Sequence, residues 1–173
     1  MKKKQNAGIP GQAARALLDG VLAAGANSGV TPSECEVRDA MKTITIEAKT
    51  ERLPEVLSFI GAELESAACS MKSQMQLEVA VEELFVNIAS YAYAPGTGDV
   101  EIGIRIEDGA AEIRFVDGGI PYDPVTRTDP DVNLPAEERE IGGLGILMVK
   151  KSVDEMRYVY QNGKNVLTIR KQL

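Results

Sequence analysis

The chain has 173 residues, 44% of them hydrophobic, enough for one domain with a sizeable core, and no window approaches the roughly 18 apolar residues of a membrane span. A net charge of −7 argues against a nucleic-acid surface, which needs a basic stripe. Histidine is absent, which excludes Ser/His/Asp catalysis, His-ligated zinc and a phospho-accepting histidine, and leaves a carboxylate, Lys, Tyr or Cys as general base.

Residues 1–40 mix Gly, Ala, Ser and Pro, with one short helical pattern over Gln12–Ala24 carried by Ala13, Leu17, Leu18, Val21 and Leu22. They are expected to form an appendage. Basic Lys2, Lys3 and Lys4 begin the segment, but Gly8, Pro10, Gln12 and Arg15 interrupt any signal-peptide core, so the chain is placed in the cytoplasm. Cys35 and Cys69 have neither metal-ligand nor disulfide-framework spacing and read as ordinary thiols.

The texture changes at Met41, which makes that residue a candidate native start. From there Ile44, Ile46 and Ala48 alternate with Lys42, Thr43, Thr45 and Glu47 as in a half-buried strand. Thr50 is expected to cap a packing helix that carries Pro54 in its first turn and Leu53, Val56, Leu57, Ile60 and Leu64 at helical spacing.

The longest helical pattern, SQMQLEVAVEELFVNIASYAY, runs from Ser73 to Tyr93 with a core stripe of Leu77, Val81, Leu84, Ile88 and Ala92. Glu83 and Asn87 lie off that stripe. Four residues apart, they are separated by about 40° and reach one small volume, whereas Glu82 lies about 140° from Asn87. A carboxylate beside a neutral amide oxygen suits proton abstraction and binding of a hard cation such as Mg²⁺. Taken alone, such a pair more often marks a solvated helix face.

After the breakers Pro95 and Gly96, Val100, Ile102, Ile104 and Ile106 alternate with polar residues, Asp108-Gly109 turns, and Ala111, Ile113 and Phe115 alternate again. That is a hairpin with a type I′ turn. Its second strand runs into DGGIPYDP, residues 117–124, which puts Asp117 at a strand end, as either a site residue or a turn cap. Residues 122–141 lack periodicity, and a loop of that length inside a compact domain is more often functional than idle. It ends in EIGGLGILMVKK, residues 140–151, whose glycines precede a helix start. Such a start accommodates a phosphate or is simply a helix-entry turn. Met156–Tyr160 and Asn165–Arg170, joined by Asn162-Gly163, form a second hairpin. The expected fold is α+β: a two-layer sandwich, its sheet mixed but mostly antiparallel, with helices on one face.

In sequence order, EELFVNIASYAY, DGGIPYDP and GGLGILMVKK resemble the N box and the two glycine boxes of the Bergerat (GHKL, histidine-kinase-like) ATP-binding fold, over about residues 41–173. Within that superfamily the YDP ending of the first glycine box, the compact second box and VDEMRYVYQNGKNVL resemble the anti-sigma factor and serine-protein kinase family of the anti-sigma-B and sporulation anti-sigma-F type.

The resemblance implies ATP and Mg²⁺ as cofactors. It makes Glu83 the base for the attacking hydroxyl and Asn87 the Mg²⁺ ligand. Asp117 becomes the acceptor for the adenine amino group, and Gly119 the residue that lets the backbone approach the base. Gly142, Gly143, Leu144 and Gly145 become the phosphate wrap, and residues 122–141 the lid loop. Asn165 stands roughly where many relatives have a Thr supporting the adenine, and Tyr91 where relatives often have a nucleotide-contacting His. Ile120-Pro121 after the glycines implies a stiffer turn than in some relatives.

The implied function is a serine/threonine-protein kinase that phosphorylates a STAS-domain antagonist and sequesters a sigma factor or similar regulator, with homodimerisation and with no direct nucleic-acid or membrane contact. Two alternatives stay open: a nucleotide-gated binding module that switches partners without kinase activity, and a stand-alone histidine-kinase-type ATPase domain.

Overall fold

A computed structural model describes residues 40–126 and 144–173. The expected appendage, most of the 122–141 lid loop, and Gly142 and Gly143 lie outside the described residues.

Five strands form one sheet: β1 Lys42–Glu47, β2 Asp99–Glu107, β3 Ala110–Asp117, β4 Glu155–Gln161 and β5 Lys164–Gln172, in spatial order β1-β2-β3-β5-β4. All four ladders are antiparallel, so no parallel pair occurs among the described strands. The two hairpin turns explain their own sequences. Asp108 and Gly109 have φ of 51° and 72°, and Asn162 and Gly163 have 52° and 75°, the left-handed pairs that a type I′ turn requires.

Period-2 alternation then sorts the strands into two faces. Ile102 is opposite Phe115 and Ile104 opposite Ile113, and those two face Leu167 and Ile169 across the next ladder. All six are buried. The other face carries Glu101, Arg105, Glu112 and Arg114, tied by Arg105–Glu112 at 3.1 Å and Arg114–Glu101 at 3.5 Å.

Three helices cover the apolar face: α1 Leu53–Ser66, α2 Met71–Asn87 and α3 Leu144–Ser152. Val56, Ile60 and Leu64 of α1 meet Leu77, Val81, Leu84 and Phe85 of α2 in one cluster with the strand residues. Burying a side chain of this size contributes roughly 1.5–3 kcal/mol.

Two expectations change at helix ends. Thr50 does not cap α1, because it opens a 3-10 turn over Thr50–Arg52 and its hydroxyl points to Glu51 instead. Arg52 stands at the helix N-cap without a side-chain cap bond. α2 begins two residues earlier than its apolar pattern, because Ser70 Oγ accepts the Ser73 N–H at 3.2 Å. At its other end, α2 passes into a π-helical turn over Ile88–Ala92. That wider turn breaks the 100° progression, so Ile88 and Ala92 are only half-buried, while Phe85, outside the expected stripe, is fully buried.

Candidate functional site

The π-turn bears directly on the site, because irregular turns of this kind place side chains where a regular helix would not. Asn87, the last α-helical residue, donates from Nδ2 to the Glu83 carbonyl at 2.8 Å. Only an amide NH₂ can donate to a carbonyl, so Oδ1 of Asn87 is the atom left for a ligand. Asn87 lines a cavity of about 350 Å³, within the size range of small-molecule sites. Tyr91, in the π-turn, lines it as well and is exposed.

Glu83 faces a different neighbour. A Cβ built on Gly145 would fall on the Glu83 carboxylate, so glycine at 145 gives the carboxylate the space it occupies beside the first turn of α3. Glu82 is exposed and Glu83 half-buried, as the helical spacing predicts. Leu144 opens α3 and is exposed.

The other end of the cavity is built on the β3–β5 ladder, where Asp117 and Asn165 are direct partners. Both are buried. Asn165 Nδ2 donates to Asp117 Oδ1 at 2.8 Å and to the Ile120 carbonyl at 3.2 Å, while Asn165 Oδ1 accepts from the Tyr158 hydroxyl at 2.7 Å and the Tyr122 N–H at 3.3 Å. The amide is thereby saturated, having two donors and two lone pairs. Asn165 lines the cavity with its amide engaged and holds Asp117 through the 2.8 Å bond. Asp117 Oδ1 also accepts the Gly119 N–H at 2.9 Å. No hydrogen bond from a described residue reaches its Oδ2, and the residue lines the cavity.

Tyr93 and Ala92 join the two ends. The Tyr93 hydroxyl donates to the Asp99 carbonyl at 2.5 Å and accepts the Gly118 N–H at 2.8 Å. The Ile120 N–H donates to the Ala92 carbonyl at 2.8 Å. Gly119 is required by this junction, since a Cβ there would strike the Ala92 backbone and side chain. The close approach that calls for glycine at 119 is therefore to the end of the π-turn, and Gly119 does not line the cavity.

Burial pushes the Tyr93 hydroxyl above its ordinary value, opposed by the bond from Gly118 and reinforced by Asp117 and Asp99. The Tyr158 hydroxyl is raised in the same way, first by burial, against a backbone bond from Tyr122, and further by Asp123, Asp117 and Tyr160. Both phenols are thus held as donors. Neither Tyr93 nor Tyr158 stood out in the sequence. The signal available for Tyr158 was strand parity: it lies on the face of Tyr160, the direct partner of Asn165, and an aromatic side chain reaches the diagonal neighbour.

The site offers a buried carboxylate oxygen at one end of an apolar-walled cavity, an outward amide oxygen at the other, and a second carboxylate beside a glycine at a helix start. That set fits a nucleotide: an acceptor for a base amino group, and a hard oxygen for a cation near the phosphates. Among the described residues no cluster of three or more His, Cys, Asp or Glu side chains is placed to hold a metal ion.

The chain belongs to the histidine kinase-like ATPase domain family, whose pattern matches residues 46–171. It is similar to the serine-protein kinase RsbW of Listeria monocytogenes, 26% identical over 130 residues that cover 72% of this chain and 83% of that protein. It is also similar to the serine/threonine-protein kinase BtrW of Bordetella bronchiseptica, 24% identical over 101 residues, covering 58% of this chain and 71% of that one. Among solved structures, the RsbU and RsbW domains of Rv1364c from Mycobacterium tuberculosis superpose with a TM-score of 0.55 at 16% identity, over 78% of this chain. This chain spans about a third (32%) of the length of that structure, and the likeness establishes the fold. Among the described residues, no helix is long and apolar enough to cross a membrane.

Proposed function

We propose that residues 41–173 form an ATP-dependent serine/threonine-protein kinase and anti-sigma-type regulator, which phosphorylates a STAS-domain antagonist and sequesters a sigma factor or similar transcription regulator. The observation that carries the reading is the joint placement of Glu83 and Asn87: one turn apart on α2, with the amide oxygen free toward the cavity and the carboxylate set against Gly145 at the start of α3. The names of the Listeria and Bordetella relatives, both protein kinases, support it. The partner classes rest on the resemblance of the three boxes to the anti-sigma kinases.

In this reading Asp117 Oδ2 would accept the adenine amino group, and Asn87 Oδ1 would hold Mg²⁺, whose charge would offset that of the phosphates. The resemblance assigns the phosphate wrap to Gly142, Gly143 and Gly145, of which Gly145 lies among the described residues. Glu83 accepts the proton of the partner's Ser or Thr hydroxyl as that oxygen bonds to the γ-phosphorus. The bond from phosphorus to the β,γ-bridging oxygen breaks, and ADP leaves. Positioning and charge neutralisation supply most of the acceleration in phosphoryl transfer, so this small set of groups is sufficient.

The test is to mix the protein with Mg²⁺ and γ-labelled ATP and, in turn, each STAS-domain protein of the same organism. Label on a Ser or Thr of one of them is the expected result. ATP binding without label on any of them contradicts the kinase and favours a nucleotide-gated binding module.

A further inference from the structure

The base end of the cavity has an unusual inventory of hydrogen-bonding groups. Every backbone donor from 118 to 122 is already engaged: Gly118 N–H with Tyr93, Gly119 N–H with Asp117, Ile120 N–H with Ala92 and Tyr122 N–H with Asn165, while Pro121 has none. The two N–H bonds of the Asn165 amide are engaged as well, with Asp117 Oδ1 and the Ile120 carbonyl. What these groups leave toward the cavity is one acceptor, Asp117 Oδ2, and no donor.

The Asn165 amide is the only one of these donors carried on a side chain, and so the one able to turn without moving the main chain. It is held by bonds to Asp117 and Ile120 through Nδ2 and from Tyr158 and Tyr122 to Oδ1, of which the shortest is the 2.7 Å bond from the Tyr158 hydroxyl. Tyr158 lines the cavity and belongs to β4, an edge strand outside the three sequence boxes.

We propose that Tyr158 is a specificity-determining positioning residue: by fixing the Asn165 amide with both N–H bonds turned to Asp117 and Ile120, it keeps the donors of that amide out of the base end of the cavity, so that a 6-aminopurine is accepted and a 6-oxopurine refused. A 6-oxopurine presents a carbonyl oxygen where the amino group would stand. Facing the Asp117 carboxylate with the Asn165 amide donors turned away, that oxygen loses hydration without a bond from the amide in return, which is the costly case for a buried polar group. Without the Tyr158 hydroxyl the amide keeps its 2.8 Å bond to Asp117 but loses its shortest restraint, and the N–H held at 3.2 Å by the Ile120 carbonyl is the one that turns into the cavity as a donor to the 6-oxo group.

The inference rests on the proposed ATP site, and the experiment separates the two. Affinities of MgATP and MgITP are measured by calorimetry for the full chain and for Tyr158→Phe and Asn165→Ser at neutral pH. The proposal predicts that the wild type prefers ATP, that Tyr158→Phe narrows the ATP/ITP ratio by about five- to tenfold, chiefly through tighter ITP binding, and that Asn165→Ser, which has no amide to turn, keeps the preference for ATP. A Tyr158→Phe protein that is less heat-stable but has the wild-type ratio overturns the proposal and leaves the adenine site standing. So does an Asn165→Ser protein that gains ITP affinity, a result that decides the matter even if Tyr158→Phe does not fold. A wild type that binds neither nucleotide overturns the ATP reading and this proposal with it.

Discussion

The carboxylate of Glu83 occupies the space that a side chain on residue 145 would need. Gly145→Ala therefore leaves the fold in place but pushes Glu83 away from the first turn of α3. Displacing a catalytic group by about 1 Å costs on the order of 100-fold in rate. Phosphotransfer should fall by about that factor while ATP affinity, measured by calorimetry, changes far less.

Asn87 makes a separable prediction. Its amide orientation is set by the bond to the Glu83 carbonyl, so Asn87→Ala removes the outward oxygen without disturbing the core. ATP affinity with Mg²⁺ present should drop about tenfold, and the gain in affinity that Mg²⁺ gives the wild type should vanish. Titrations with Mg²⁺ and with EDTA check both; an undiminished Mg²⁺ effect in the variant contradicts the assignment.

Neighbouring glycines should respond differently. A Cβ on Gly119 strikes Ala92, whereas one on Gly118 stands 3.9 Å from the Tyr93 hydroxyl, an ordinary contact. Gly119→Ala is expected to cost about 1–3 kcal/mol, read in calorimetry as a fall of about 2–4 °C per kcal/mol. Gly118→Ala should stay within about 1–2 °C of the wild type. Equal melting temperatures for all three proteins would remove the proposed junction between the π-turn and the 118–120 loop.

The raised Tyr93 and Tyr158 hydroxyls give a pH dependence of definite sign. Folding favours their protonated form, so their contribution to stability is complete below the ordinary value of 10.0 and is lost as pH rises through their higher folded values. Unfolding free energy should therefore fall above about pH 10. The Tyr93→Phe, Tyr158→Phe double variant, less stable at pH 8, should show a shallower alkaline decline in denaturant titrations.

Much of this architecture is written in local pattern. Val100, Ile102 and Ile104 against Ile113 and Phe115 define a two-faced hairpin from sequence alone, and Asp108-Gly109 and Asn162-Gly163 name their own turn type. That Glu83 and Asn87 share one helix was legible in the spacing of its apolar residues. What was not legible depends on groups brought together from distant parts of the chain. The Tyr93 bond to Gly118 spans 25 residues and the Asn165 bond to Asp117 spans 48, and no periodicity encodes either. The π-turn after Asn87 leaves the apolar pattern nearly unchanged while shifting what Ile88 and Ala92 face. Thr50 failed as a cap because a 3-10 turn intervenes before α1.

The central claim is that Glu83 is the base for transfer to a protein hydroxyl, and single-turnover phosphotransfer by Glu83→Gln, with ATP affinity measured alongside, tests it most directly. Removing a general base costs about 10²–10⁴ in rate, so the account predicts a loss of that order with ATP affinity within about threefold of the wild type. A Gln variant that phosphorylates the STAS partner at the wild-type rate would contradict it.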